Sequence, residues 1–487
     1  MNDDERRDPH TDRVHFGAPR TGTALGGLQW RQLALLVGAG LWALAWTRTT
    51  TGTIGPVVGL AGAVVLAGAG VVRLGGRLPI DWGWVGGAFA VRVARGRRRY
   101  RHARGAANPR LPTHLAGIRL LSLATDHGDI GLIRNRTMLV AVLRVTAEFS
   151  VLAGPDEMAS RRAAWGATLA GLARPGSPVV RLQWIARSAS LGPRARSRYV
   201  TPETWTHAEE PSVRSYLEVV DAVARDAQEH ELLIAVGIAQ RPTRGRRLAL
   251  RGEGGPQQAL DAAAQIADQL GASGLGSARI IRADELAEAI RIGSDPTSED
   301  LIARSPHGPE PLPIDPDDTG PMATDESWAA YRCDGTWHAT FWISQWPRGE
   351  VDAQVMAPLV LAGRPGRTTS VVMQPRDPTR AVRDAEQARL QYAADDELRE
   401  RAGFMGSMRR RRQQAAISAH ERELADGHAA YRFVGYVTVS DPTREGLEAA
   451  CLGLETTAQL AHCEVRRLWG EQAAGLTCTL PLCRGLG

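Results

Sequence analysis

The most strongly apolar part of the chain lies near its beginning, between residues 32 and 74. The segments Gln32–Trp46 and Ile54–Val72 consist mainly of alanine, valine, leucine and glycine. A helix that crosses a bilayer needs about 20 mainly apolar residues, and arginines beside the shorter first segment can extend to the headgroups. Because only a short polar break separates the segments, the pattern predicts a transmembrane hairpin of two antiparallel helices.

Small residues recur at every fourth position along the second apolar segment. They are Gly55, Gly59, Ala63 and Ala67. In lipid, such a stripe lets two helices approach closely, so these residues are predicted to form the packing face of the hairpin. The alternatives are two buried helices of a water-soluble core, or a signal peptide before one apolar helix. A signal peptide is disfavoured because its charged region would be about 30 residues long and would contain several acids.

Arginine is unevenly placed around the predicted hairpin. A group precedes it and a cluster follows it, whereas the connecting loop contains only Arg48. Because positive residues mark the cytoplasmic side, the pattern predicts a double-pass protein of the plasma membrane with both termini in the cytoplasm. The cluster comprises Arg92, Arg95, Arg97, Arg98, Arg99, Arg101 and Arg104. It is predicted to contact anionic lipid near the membrane surface, and the alternative contact is nucleic-acid phosphate.

From about residue 118, short apolar strands alternate with amphipathic helices. Leu232–Ala239, for example, is predicted as a strand, and residues 256–270 are predicted as the following helix. Residues 294–325 contain seven prolines among acids and glycines, which is typical of a linker. The same order of strands and helices recurs after it.

The pattern therefore predicts a membrane-anchored α/β (α+β) protein with two similar cytosolic α/β sandwich modules after the hairpin. The predicted segments are a flexible cytoplasmic arm (1–31), the transmembrane hairpin (32–74), a basic juxtamembrane segment (75–117), the first module (118–293), the proline-rich linker (294–325) and the second module (326–487).

Composition adds little to this picture. The chain has 487 residues, a net charge of +6 and no lysine, so all 59 basic residues are arginine. A GC-rich genome, as in actinobacteria, accounts for this bias. The five cysteines have no spacing typical of a disulfide framework or metal site, which favours a reducing compartment.

The search for catalytic chemistry is negative. The glycine-rich stretch Gly363–Ser370 has no lysine and lacks the spacing of a phosphate-binding loop. His420 and Glu421 begin a zinc-protease pattern, but Leu424 stands where the second histidine is needed. No catalytic, cofactor-binding or metal-ligating residue is therefore predicted, no cofactor is expected, and an enzyme is the least favoured class.

A run of four arginines lies in the second module. It comprises Arg409, Arg410, Arg411 and Arg412. Over one helical turn these side chains point in all directions, so the run could contact a partner protein or DNA. A solvated helix face balanced by Glu421 and Glu423 is the simpler alternative.

Several short stretches resemble the N-terminal domain of conjugation and type IV secretion ATPases of the TraC/TrbE class. They are Arg422–His428, the strand Tyr431–Val439, the helix from Pro442, and the closing Leu480–Leu482. Met138–Val145 is similar to the start of that domain, and the hairpin resembles the small PrgI-like subunit. Because the chain stops before an ATPase core would begin, the resemblance implies a non-enzymatic scaffold of an actinobacterial conjugation apparatus. Its implied partners are membrane lipids, a motor ATPase on a separate chain, and further copies of itself.

A rival resemblance is to EccE, a membrane component of type VII secretion, which also has two N-terminal helices and a cytosolic domain. The closing Leu480–Leu482 and the duplicated modules favour the conjugation prediction. A membrane-tethered DNA-binding protein is the remaining alternative, although nucleic acid is not the favoured partner.

Overall fold

A computed structural model describes most of the chain in two compact units. The sheet unit comprises Met1–Phe16, Arg98–Glu386 and Ala419–Gly487, and the hairpin unit comprises Gly17–Arg97 and Gln387–Ser418. The residues outside the described part are 1–12, 16–22, 26–27, 50–53, 73–74, 103–110, 127, 136, 147–153, 191–205, 208, 241–254, 304–318, 348–349, 353, 362, 364–365, 402–417, 420 and 487.

The helices and strands are numbered in chain order. The helices are α1 (Trp30–Thr49), α2 (Ile54–Val71), α3 (Pro79–Ala94), α4 (Pro155–Leu172), α5 (Pro211–Asp226), α6 (Gly255–Ala272), α7 (Ala283–Ser294), α8 (Ser298–Ala303), α9 (Ala357–Leu361), α10 (Pro378–Arg401), α11 (Arg444–Leu460) and α12 (Gln472–Leu476). The strands of the first half are β1 (Arg13–His15), β2 (Thr23–Leu25), β3 (Leu28–Gln29), β4 (Arg99–Arg101), β5 (Arg119–Thr125), β6 (Gly128–Arg134), β7 (Met138–Thr146), β8 (Val179–Ser190), β9 (Gln228–Ala239) and β10 (Ser277–Ile280). Those of the second half are β11 (Ala323–Glu326), β12 (Tyr331–Cys333), β13 (Thr336–Gln345), β14 (Glu350–Asp352), β15 (Arg367–Pro375), β16 (Tyr431–Asp441) and β17 (Glu464–Arg467).

One sheet of 13 strands organises the sheet unit. Its order is β4-β11-β12-β13-β16-β15-β8-β9-β7-β6-β5, with β10 paired to β7 and β17 paired to β13. The order β8-β9-β7-β10 in the first half matches β15-β16-β13-β17 in the second half. Each half is a split β-α-β arrangement. Its last strand in chain order (β10 or β17) pairs with its first (β7 or β13). We refer to these halves as the first and second modules.

The modules meet where β8 pairs antiparallel with β15, from Ser188↔Arg367 to Leu182↔Met373. The prediction of two separate α/β sandwiches is therefore wrong, because the strands of both modules belong to a single antiparallel sheet. Local periodicity identifies strands but not which edges pair. Pairing these two edges satisfies backbone groups that would otherwise be open to another chain.

Strand β7 is apolar at nearly every position because helices pack on both faces of the sheet there. Leu139 and Leu143 belong to a core that includes Leu260 and other residues of α6. The alternate residue Val140 belongs to a second core with Leu286 of α7. Because successive side chains of a strand point to opposite faces, a strand covered on both faces needs apolar residues at nearly every position.

Strand β13 differs, because only one of its faces is apolar. Phe341 and Ile343 pack with Leu447 of α11. On the other face the hydroxyl of Thr340 lies 2.9 Å from that of Thr438. These polar side chains are buried, and residues 472–486, here called the C-terminal segment, cover them.

Gln183 of β8 fixes the C-terminal segment across the sheet. Its side-chain nitrogen lies 2.9 Å from the carbonyl oxygens of Cys478 and Leu480. The same nitrogen lies 2.9 Å from the hydroxyl of Ser370, and the side-chain oxygen accepts the Cys483 N–H at 2.7 Å. One fully buried amide thus connects both modules to the C-terminal segment.

The predicted transmembrane hairpin is wrong, although both of its helices exist. Among the helices of the described residues, none is long and apolar enough to cross a membrane. Helix α1 includes Arg31 and Arg48 among its 20 residues. Helix α2 has 18 residues. The same finding contradicts the double-pass topology and the plasma-membrane location, which were predicted from this hairpin.

We expect the substitution Gln183→Leu to lower the free energy of unfolding by about 2–4 kcal/mol, because each buried polar group left without a partner costs about 1–3 kcal/mol. Urea denaturation followed by tryptophan fluorescence measures the loss. The matched control is Gln257→Leu on the surface of α6, where the exposed amide donates to Asp261 at 3.1 Å. Equal denaturation midpoints for the two variants would contradict the bridging role of Gln183.

Candidate functional site

A polar cluster joins the helix layer of the first module to the strands of the second. We call it the polar junction; its members are Arg291, Ser294, Asp295, Thr297, Asp334, Thr336 and His338. Helix α7 ends at Ser294, and the buried carboxylate of Asp295 follows it. That carboxylate accepts the hydroxyl of Thr336 at 2.6 Å and the hydroxyl of Thr297 at 2.7 Å. This carboxylate therefore connects the C-terminal end of α7 to Thr336, the first residue of β13.

His338 is the fully buried member of the junction. Its Nε2 lies 2.8 Å from the carbonyl oxygen of Ser294, which can only accept, so Nε2 donates. Nδ1 therefore accepts the hydroxyl of Ser440 at 2.8 Å. Burial lowers the pKa of His338 to about 4 and outweighs the opposing effects of the Ser294 carbonyl and Asp295. The ring is neutral at pH 7.

A serine next to a histidine is one part of a nucleophilic site, but the geometry gives this pair a positioning role. His338 has no exposed surface, and its second nitrogen holds the Ser294 carbonyl rather than a carboxylate. The arrangement orients α7 against β13 and leaves no approach for a substrate.

Arg291 completes the junction on the side of the β12–β13 turn. Its guanidinium lies 2.8 Å from the carboxylate of Asp334. Asp334 in turn accepts the backbone N–H of Ala323 at 2.7 Å and has a positive φ of 49° in the turn. The turn, β11 and α7 are thus held by one carboxylate.

A second polar cluster lies within the first module, between β7, β8, β9 and α7. Glu231 of β9 lies opposite Arg187 of β8, and their charged groups are 2.8 Å apart. Glu231 also accepts Arg144 at 2.9 Å, and Arg144 lies 3.4 Å from Glu285. Glu285 is paired with Arg279 at 2.6 Å. We call these five residues the charged network.

In the charged network, the attraction between opposite charges outweighs the cost of burying them. Burial opposes the charge of Arg187, but neighbouring carboxylates outweigh it and raise the pKa of the guanidinium. Those carboxylates belong to Glu231, Glu299 and Glu288. Burial likewise opposes the charge of Glu285, yet hydrogen bonds from Arg279 and the Arg282 backbone lower its pKa to about 2. Arg187 and Glu285 are therefore charged at neutral pH.

The structure places one residue of the predicted packing stripe of α2 directly against α1. Gly59 is buried, and a Cβ there would lie 3.1 Å from the Cβ of Trp46. Ala63 and Ala67 are half-buried, and Gly55 lies in the first turn of α2. Two further glycines of α2 lie close to α1. A Cβ at Gly62 would overlap the ring of Trp42, and the carbonyl of Gly70 accepts the side-chain amide of Gln32 at 2.9 Å.

The predicted arginine cluster is divided between the two units. Arg92, Arg95 and Arg97 belong to the hairpin unit, and Arg98, Arg99 and Arg101 belong to the sheet unit. Arg92 lies over the ring of Phe89 at 5.7 Å. Arg99, on the edge strand β4, pairs with Asp325 at 3.0 Å. Arg104 and the run Arg409 to Arg412 lie outside the described residues.

The five cysteines are buried and form no disulfide bond. Burial raises the pKa of all five thiols, which belong to Cys333, Cys451, Cys463, Cys478 and Cys483. A thiol is a poor nucleophile when its pKa is raised. In the described part of the chain, no group of three or more His, Cys, Asp or Glu side chains could hold a metal ion.

Part of the chain matches a known protein family. Residues 245–343 match the family described as "Putative type VII ESX secretion system translocon, EccE". The matched block covers 99 of the 487 residues and runs from α6 through most of β13. All seven members of the polar junction lie inside it. The comparison with curated proteins found no match.

The match favours one prediction over another. It supports the alternative assignment to type VII secretion better than the conjugation assignment that the short apolar phrases favoured. Sequence reasoning missed the polar junction, because its residues are separated along the chain and carry no recognised motif.

We expect Glu231→Gln to lower the free energy of unfolding by about 3–5 kcal/mol, since it leaves buried arginine charge without its partner. Chemical denaturation measures the change. Glu157→Gln is the matched control, because Glu157 pairs with Arg161 at 2.7 Å on the surface and an exposed pair contributes about 0–1 kcal/mol. A loss from Glu231→Gln no larger than that of the control would contradict the structural role of the network.

Acid should destabilise the fold through its buried histidines. The pKa is about 4 for both His338 and His114, against about 6.5 in an unfolded chain. Between these values the unfolded state binds more protons, so the free energy of unfolding falls as the pH drops from about 6.5 to about 4. Each histidine contributes a slope of at most about 1.4 kcal/mol per pH unit.

His338→Gln should reduce that slope in denaturation curves recorded across this pH range, whatever its effect at pH 7. Gln257→Leu, which removes an exposed amide and no titratable group, should leave the slope unchanged. Identical slopes for the wild type and His338→Gln would show that His338 does not titrate on unfolding.

Proposed function

We propose that the chain is a non-enzymatic structural component of a type VII secretion translocon. The observation that carries this proposal is the family match over residues 245–343. The matched block coincides with a structural feature, because the polar junction lies wholly within it. We infer that the family pattern reflects this connection between helix α7 and strand β13.

The matched block supplies elements to both modules and to both faces of the sheet. Helix α6 contributes to the core on one face and α7 to the core on the other. Strands β11 to β13 then begin the second module. A broad sheet with helices on both faces presents large surfaces, which suits a protein that binds other subunits.

The residues that favoured a conjugation protein have another explanation. Leu480 and Leu482 are buried in the same core as Leu286 and Val140. The pattern Leu-Pro-Leu at the end of the chain is therefore accounted for by packing against this sheet, without a function in conjugation.

The proposal predicts that the full-length chain co-purifies with other type VII secretion subunits, including the ATPase, from its native host. The affinity tag belongs at the N terminus, because Leu480, Leu482 and Cys483 of the C-terminal segment are buried. Since the chain contains no lysine, cross-linking should use a photoreactive amino acid rather than an amine-reactive reagent. Gln258, exposed on α6 within the matched block, is a suitable position.

Mass spectrometry of the eluate and of the cross-linked bands measures the outcome, with an untagged strain as control. Type VII subunits in both samples support the proposal. Conjugation subunits in their place, or nucleic acid that dissociates in high salt, would contradict it.

A further inference from the structure

A short strand near the N terminus pairs with a strand of the second module. Strand β1 runs antiparallel to β14, and the two form a small sheet that is separate from the 13-stranded sheet. Both strands belong to the sheet unit, although residues 17–97 between them along the chain belong to the hairpin unit. We call residues 13–15 the strap, because they connect the beginning of the chain to its second half.

The register of this pairing sets complementary residues opposite each other. The two outer pairs combine a basic residue with an acid, and the central pair is apolar. The pairs are Arg13↔Asp352, Val14↔Val351 and His15↔Glu350. Opposite charges directly across two strands stabilise their pairing. A slip by one residue would set Arg13 against Val351 and turn every side chain to the other face, so the residues of the strap favour this one register.

The pairing is short, so it can open while the large sheet stays folded. It comprises three residue pairs, and an isolated pair of strands is at best marginally stable in water. A free strand edge presents unpaired N–H and C=O groups, which are a template for pairing with another chain. When the strap leaves β14, the edge that it occupied becomes such a template.

Strand β14 also forms part of the wall of a groove of about 860 Å³. Val351 and Asp352 line this groove together with Trp346 and Leu460. The ring of Trp346 is held edge-on against Phe433, with the ring centroids 5.2 Å apart. Because the strap pairs with the strand that forms this wall, its release changes the border of the groove.

We propose that residues 13–15 are an autoinhibitory strap, which pairs reversibly with β14 and keeps an extended segment of another chain from pairing there. The occupant of the edge in the resting protein is thus the chain itself. A segment tethered to the same chain competes at a high effective concentration, which compensates for a contact of only three residue pairs. Weakening the strap should open the edge, and a segment with the strap's own sequence should then bind in its place.

Disulfide trapping tests the pairing itself. Val14→Cys and Val351→Cys, introduced together, place thiols at opposite positions, where Cβ atoms across an antiparallel pair lie about 4.5–5.5 Å apart. The native cysteines are buried, so mild oxidation should cross-link the introduced pair, and mass spectrometry identifies the linked peptides. Val14→Cys with Asp352→Cys is the matched control, because neighbouring residues of a strand point to opposite faces. We expect several-fold more cross-link in the first variant.

Hydrogen exchange followed by mass spectrometry tests whether charge stabilises the pairing. Asp352→Arg should speed the exchange of the backbone amides of residues 13–15 and 350–352 by about fivefold, since it replaces an attractive cross-strand pair by a repulsive one. Adding Arg13→Asp restores opposite charges and should reverse the effect. Exchange in β16, which belongs to the 13-stranded sheet, is the internal control and should stay unchanged in both variants.

Peptide binding tests the autoinhibition. A fluorescein-labelled peptide with the sequence of residues 8–20 is titrated into the wild-type chain and into a variant that carries both Val14→Pro and His15→Pro. The N–H groups of neighbouring strand residues point alternately to the two sides, so the two prolines remove one N–H that faces β14. Fluorescence anisotropy should show binding to this variant at least about tenfold tighter than to the wild type, whose tethered strap competes. A control peptide with the same two prolines should not bind.

Each measurement has a result that would overturn the proposal. Equal cross-linking of the two cysteine pairs would contradict the register. An exchange rate that Asp352→Arg leaves unchanged, or that Arg13→Asp fails to restore, would contradict stabilisation by charge. Equal peptide affinity for the wild type and the proline variant, or no saturable binding to the variant, would show that the strap protects no binding edge. None of these results depends on which secretion system contains the protein.

Discussion

The pairing of β8 with β15 makes two modules into one sheet, and the C-terminal segment covers this seam. Gln183 lies at the seam, where its amide bonds to Ser370 and to backbone groups of the C-terminal segment. Buried polar groups left without these partners would each cost about 1–3 kcal/mol. Gln183 therefore couples the stability of the two strands to that of the C-terminal segment. The polar junction, which connects α7 to β13, lies on the same sheet.

Local patterns in the sequence predicted most helices and strands of the modules. The predicted strand Leu232–Ala239 lies within β9, and the predicted helix 256–270 lies within α6, because alternation and helical periodicity are local properties. The sequence also predicted that the two modules are similar, and their strand orders agree. It could not predict that β8 pairs with β15, since pairing depends on which edges meet in three dimensions.

The N-terminal segments and the polar junction illustrate two further limits. Apolar composition predicted the helices α1 and α2, but the prediction that they cross a membrane was wrong, since no helix of the described residues is long and apolar enough. The junction was not predictable, because His338 and Ser294 are 44 positions apart and meet only when α7 lies on the sheet. An isolated histidine or serine in a sequence does not reveal a structural role. Its burial and its hydrogen bonds in the structure do.

The most direct test of membership in a type VII translocon is protein secretion by the native host after deletion of this chain. Quantitative mass spectrometry of the culture medium measures the secreted proteins, and the same strain complemented with the full-length chain is the control. We expect type VII substrates to disappear from the medium on deletion and to return on complementation. Unchanged type VII secretion together with a loss of conjugal DNA transfer would contradict the assignment.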